Sequence, residues 1–133
     1  MQETYKESKK QESCSMIKRI KPVPVISCEE IVQLIEEIKE VHCSDAIRSY
    51  IVEIVEATRN ADFIKLGVSP RGSIALYRMA KAYAFVKGRN YVVPDDIKDL
   101  APYVLSHRII LTPKGKSVVN DNEEAIKRLM QNV

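Results

Sequence analysis

Apolar residues recur every three or four positions along most of this chain, in blocks separated by short polar, proline- or glycine-marked breaks. In the block SCEEIVQLIEEIKEVH, Ile31, Leu34, Ile35, Ile38 and Val41 fall on one helical stripe, with Glu29, Glu30, Glu36, Glu37 and Glu40 mostly outside it. Ser27 with Glu30 three residues later forms a capping box at its start. Ser44 or Asp45 caps a second helix, whose inner face is Ile47, Tyr50, Ile51, Ile54, Val55 and Thr58. The stretch ADFIKLGV connects it, through Gly67, to a third helix with Ser69 as cap and Pro70 at the first helical position, ending at Gly88. Ile74, Leu76, Tyr77, Met79, Ala80, Tyr83, Ala84, Phe85 and Val86 make this helix apolar nearly all round, which predicts a buried central helix. One edge differs: at about 100° per residue, Arg71, Arg78 and Lys81 lie within roughly 80° of one another.

Pro94 opens a fourth helix running towards Arg108, with Asp95 and Asp96 in the first turn, where negative charge suits the helix dipole. Pro102 predicts a kink or break near Ala101. RIIL at 108–111 reads as a short strand that could pair with residues 91–93, TPKGKSVVNDN as a loop, and EEAIKRLMQNV as a last amphipathic helix. Residues 1–21 are polar and without steady periodicity, a linker or disordered tail, and PVPV at 22–25 is extended. The expected fold is therefore all-α in the main, a four-to-five-helix bundle over residues 22–133 with room for one short two-strand pair.

Composition narrows the function classes. The chain has 133 residues, 45% hydrophobic and 29% charged, which suits one soluble globular domain. No apolar run approaches bilayer length, and the start MQETYKESKKQES lacks the apolar core of a signal peptide, so no membrane insertion is expected. Three cysteines, Cys14, Cys28 and Cys43, at unrelated spacings read as free thiols of a cytoplasmic protein. The net charge of +3 is carried entirely by residues 1–21; the rest of the chain balances, which argues against nucleic-acid binding.

Several tempting motifs fail. KGKS at 114–117 lacks the glycine a phosphate loop needs, because position 110 is Ile. His42, Cys43 and Cys28 have neither the paired spacing nor the fourth ligand of a zinc site. His107 and Arg108 suit a helix end, and Asp95 with Asp96 suits a helix start, without catalysis being invoked. No complete active site is present.

Arg71 remains unexplained, since a cation in the first turn opposes the helix dipole. On the residues alone, the leading account is a solvated side chain with a local carboxylate partner. The ordered motifs around it point elsewhere: Val-His at 41–42, Tyr-Ile-Val at 50–52, Ala-Thr-Arg at 57–59, Gly-x-Ser-Pro-Arg at 67–71, Gly-Arg-x-Tyr-Val at 88–92, Pro-Asp-Asp at 94–96 and Leu-x-His-Arg at 105–108. Together, over about residues 22–112, they resemble the C-terminal lid domain of MoxR-type AAA+ ATPases, with the lids of magnesium-chelatase ATPase subunits as close cousins.

That resemblance implies that Arg71 is the second-sensor arginine, directed at the phosphates of ATP on a separate P-loop domain, with Gly67, Ser69 and Pro70 fixing where its helix begins. Arg78 would support the nucleotide or a neighbouring subunit, or else pair with an acid inside the lid. It further implies ATP and Mg2+ bound mainly outside this chain, a homo-hexameric ring, chaperone-like remodelling or assembly of protein partners, and a von Willebrand factor A domain protein among those partners. Val93 stands where the family often has a threonine cap, and Gly72 where alanine is more usual. A P-loop domain is lacking here, so these residues are expected to be the C-terminal part of a longer protein and inactive alone. The competing expectation is a free-standing helical module that holds an acidic partner on the Arg71, Arg78 and Lys81 edge.

Overall fold

The computed structural model describes residues 23–133, so the expectations for residues 1–21 and for Cys14 lie outside it. Six helices and one short sheet follow in order: α1 (Cys28–Lys39), α2 (Asp45–Asn60), β1 (Ile64–Leu66), α3 (Pro70–Val86), α4 (Pro94–Leu105), a 3-10 turn (Ser106–Arg108), β2 (Ile110–Leu111), α5 (Pro113–Val118) and α6 (Asn122–Met130). The division between the chain's two compact units falls inside α1, after Ile31.

Local signals start most of these helices where the sequence places them. The Ser27 hydroxyl accepts from the Glu30 N–H at 3.2 Å, and the Glu30 carboxylate accepts from the Ser27 N–H at 2.7 Å, completing the capping box of α1. That bonding holds the Glu30 carboxyl below its ordinary pKa. Ser44 is the cap of α2, its hydroxyl accepting from the Ile47 N–H. In α4 the cap position is Val93, which has no side-chain acceptor, and Asp96 reaches back to accept from the Val93 N–H at 3.0 Å instead.

The core of the larger unit is built by α2, α3, α4 and α6. Ile54, Leu76, Ile97, Leu105 and Ile126 are fully buried at its centre. The buried stripe of α3 is small-residue rich, with Gly72, Ala80 and Ala84 beside Leu76, which lets α4 pack closely against it. Only this stripe is fully covered, with Ala75, Tyr77 and Phe85 partly buried beside it. Ile74, Met79 and Val86 are exposed, so α3 is not the all-round buried helix that its composition predicts. Composition reports how apolar a helix is, whereas the number of neighbours decides how much of it is covered.

Three further expectations change. The strand at 110–111 pairs antiparallel with β1, Ile64 opposite Leu111 and Leu66 opposite Ile110, and not with residues 91–93. Tyr91 instead forms an isolated parallel bridge with His42, in which the Val92 N–H donates to the His42 carbonyl at 3.0 Å. Pro102 does not break α4. The carbonyl of Lys98, which the proline leaves without its helical donor, belongs to an exposed residue that water can reach, and the proline ring itself is buried. The expected loop after Leu111 holds α5, started by the Thr112 hydroxyl accepting from the Gly115 N–H at 2.9 Å with Pro113 at the first position.

Candidate functional site

The segment leading into α3 is fixed by α2. Thr58 is buried, and its hydroxyl donates to the Val55 carbonyl at 2.6 Å while accepting from the Val68 N–H at 2.9 Å. The Arg59 Nε–H donates to the Val68 carbonyl, also at 2.9 Å. Gly67 permits this close approach, because a Cβ there would lie 2.7 Å from Arg59 Cγ and 2.8 Å from the Thr58 carbonyl oxygen. Val68 is fully buried, and its Cγ1 fills the space that a Cβ on Gly72 would need, at 2.1 Å. Ser69 has the extended conformation of a cap residue, φ −76° and ψ 164°, and Pro70 follows at the first helical position. The Ser69 side chain makes no cap bond, so the Gly72 N–H is satisfied by the Ser69 carbonyl at 2.8 Å.

Arg71 then emerges from the first turn, exposed and, among the described residues, without a carboxylate partner. Among the described residues, the local acid that would account for it as a surface ion pair is not there. Arg78 is likewise exposed and unpaired among the described residues, so it does not pair with an acid within them. Lys81 is engaged, its ammonium donating to the Lys39 carbonyl and standing 5.5 Å from the centre of the Tyr77 ring. Arg78, Lys81 and Tyr77 line a groove of about 470 Å3 with Ile35, Ile38 and Lys39. Among the described residues, the predicted cationic edge therefore divides into two unpaired guanidiniums and one tethered ammonium.

The remaining candidates are structural. Asp96 is 1% exposed and receives Arg89 through two bonds of 2.6 and 2.9 Å, so it is no free acid or base. Burial opposes its charge most strongly, yet the Arg89 bonds, the Val93 N–H and the nearby Arg89 and Lys87 charges together hold its carboxyl below the ordinary value. Asp95 lies 3.7 Å from Lys98, with its side chain 84% exposed. Burial pushes the Cys43 thiol up, only partly offset by Arg48 and Lys81, which makes it an inert core thiol, whereas Cys28 is exposed. Among the described residues no three His, Cys, Asp or Glu side chains group to hold a metal, and no helix is long and apolar enough to cross a membrane.

Thr58 and Arg59 are the part of this site that reading the sequence missed. Thr58 counts there as one more inner-face residue and Arg59 only as a member of a motif. The available signal is a threonine-arginine pair ending a helix, followed by a glycine eight positions after Arg59 and a helix start directly beyond it.

Comparisons with known proteins bear on this arrangement. The family model of the AAA lid domain matches residues 56–129, from the end of α2 to α6. The chain is 46% identical over 110 residues to YeaC, an uncharacterized protein of Bacillus subtilis, covering 83% of this chain and 34% of that protein. It is 30% identical over 118 residues to the chaperone MoxR1 of Mycobacterium tuberculosis, covering 82% of this chain and 31% of that one. It thus spans about a third of the length of these curated relatives. A magnesium-chelatase subunit ChlI homolog of Methanocaldococcus jannaschii matches at 33% identity over 86 residues, covering 64% of this chain and 21% of that one. The crystal structure of a candidate ATPase from Cytophaga hutchinsonii superposes with a TM-score of 0.78 and 29% identity, covering all of this chain and 43% of that one. Sequence, family model and fold agree: the chain belongs to the AAA lid domain family, as the lid of a MoxR-type AAA+ ATPase.

Proposed function

We propose that this lid reads bound ATP through Arg71 and passes the presence of the γ-phosphate to the rest of a MoxR-type AAA+ ATPase. Residues 22–133 are the lid, residues 1–21 its linker, and ATP with Mg2+ sits mainly on a P-loop domain of the same cytoplasmic protein. Subunits of that protein assemble as a ring, a homo-hexamer in this reading, that remodels or assembles protein partners, including one with a von Willebrand factor A domain.

The observation that carries the reading is the position of Arg71. An exposed guanidinium without a partner among the described residues stands in a first turn, where it opposes the dipole by about 0.3–1 kcal/mol. Phosphate oxygens accept planar, charge-assisted hydrogen bonds from arginine and more than offset that cost. Gly67, Ser69 and Pro70 set where the helix starts, and Arg78, about two turns along, lies on the same edge as a supporting cation. Gain or loss of the γ-phosphate then changes how strongly the lid is held, which tilts it and drives the ring.

The test is Arg71→Ala in the full-length ATPase. ATP turnover is expected to fall by about a hundredfold, the lower end of the range for removing one charge-stabilising donor. The melting temperature of the lid should stay where it is, since Arg71 is exposed and makes no salt bridge among the described residues. Unchanged turnover would end the sensor assignment.

One observation favours a second reading, an interaction module for an acidic partner. The groove of Ile35, Ile38 and Tyr77 is apolar and bordered by Lys39, Arg78 and Lys81, which fits a peptide carrying both apolar and carboxylate side chains. On that reading Arg78→Glu abolishes salt-sensitive binding of an acidic amphipathic peptide to this chain, while Arg71→Ala leaves turnover untouched.

A further inference from the structure

Two adjacent residues of α2 hold both backbone polar groups of one residue in the segment that launches α3. The Thr58 hydroxyl spends its proton on the Val55 carbonyl in its own helix, which leaves its lone pairs to accept from the Val68 N–H. The Arg59 Nε–H takes the Val68 carbonyl on the other side of the residue. A backbone unit bonded at both its N–H and its C=O can neither rotate nor slide along α2 without breaking one bond. Gly67 brings the segment against Arg59, and the Val68 side chain sits in the hollow left by Gly72. Only Ser69 and Pro70 separate this fixed point from Arg71, and the proline ring fixes its own φ.

We infer that Thr58 and Arg59 are positioning residues that set where α3 begins, and so the direction in which Arg71 leaves the lid. Its consequence for catalysis rests on the reading of Arg71 as a phosphate sensor. Neither residue need touch the nucleotide. Positioning of this kind matters because a shift of about 1 Å in a charge-stabilising group can cost on the order of a hundredfold in rate.

Packing and positioning make opposite demands at residue 58. Thr58→Val keeps the shape and removes the hydroxyl, whereas Thr58→Ser keeps the hydroxyl and removes a methyl group. Arg59→Met, at an exposed position, keeps an aliphatic stem against Gly67 and removes the donor without threatening the core. The first measurement is amide hydrogen exchange on this chain. Thr58→Val should speed exchange of the Val68 N–H by about tenfold relative to core amides of α4 and α6, with Thr58→Ser close to wild type. The second is ATP saturation kinetics of the full-length ATPase, in which Thr58→Val and Arg59→Met should lower kcat and add little on top of Arg71→Ala.

If Thr58→Ser is the damaging change and Thr58→Val is silent, the role is packing and the inference is overturned. It is also overturned if Arg71→Ala abolishes turnover while Thr58→Val and Arg59→Met leave both Val68 exchange and turnover unchanged. If instead Arg71→Ala leaves turnover unchanged, the sensor reading falls, and accelerated Val68 exchange in Thr58→Val still supports the clamp on the start of α3.

Discussion

Replacing Asp96 with alanine tests the electrostatic joint between the end of α3 and the start of α4. Its carboxylate is 1% exposed, meets the Arg89 guanidinium at 2.6 and 2.9 Å, and accepts from the Val93 N–H at 3.0 Å. Deleting one partner of a buried pair costs about 3–5 kcal/mol, because the other charge stays behind. The Arg89 side chain is 23% exposed and can turn partly to solvent, so the lower end applies, about 3 kcal/mol or roughly 10–20 °C in Tm for a domain of this size. Urea and thermal melts followed by far-ultraviolet circular dichroism measure this directly at pH 7.

The pH dependence carries the sharper test. Because the folded carboxyl lies below its ordinary pKa, its charge-dependent stabilisation is fully present above the unfolded value of about 3.9 and is lost as pH falls through the lower folded value. The gap between wild type and Asp96→Asn should therefore be widest near neutrality and close progressively below about pH 4. A gap of equal size at pH 7 and at about pH 2.5 would refute the charge argument and make Asp96 a packing residue.

Other outcomes follow from contacts already described. Gly72→Ala should gain about 1 kcal/mol of helix propensity yet be destabilising overall, since the new methyl group meets Val68 Cγ1; Val68→Ala in the same chain should restore stability, a coupling that a double-mutant cycle in urea reads out. Gly115→Ala places a Cβ 2.2 Å from the Phe63 carbonyl oxygen, a backbone atom that cannot swing aside, so a loss on the order of 2–3 kcal/mol is expected in the same assay. Arg71→Ala should leave stability within about 0.5 kcal/mol of wild type, or slightly above it, because it removes only a cation from the first turn of α3.

The sequence by itself determined which segments are helices wherever the signal is carried within a few residues. The Ser27 and Glu30 box, the Ser44 cap, Pro70, Pro94 and the apolar spacing of α2 and α6 are such signals, and each starts or shapes the predicted helix. The sequence-only reading failed at α5, where Gly115 and Lys116 read as a loop although Thr112 and Pro113 already form a helix start. There the glycine answers to Phe63, far away in the chain, rather than to a turn.

Only the tertiary structure decided which strand pairs with β2, which faces of α3 are covered, and what surrounds Arg71. Strand pairing joins Ile64 to Leu111 across nearly fifty residues, and no local periodicity encodes that partner. Thr58 and Arg59 become a clamp only when α2 and the Gly67 segment lie side by side. The lack of a partner for Arg71 among the described residues is a property of every side chain that could have reached it, and so depends on where the chain places them all. Hydrogen bonds to the nearest residues are written in the sequence, whereas burial and charge pairing depend on neighbours that only folding brings together.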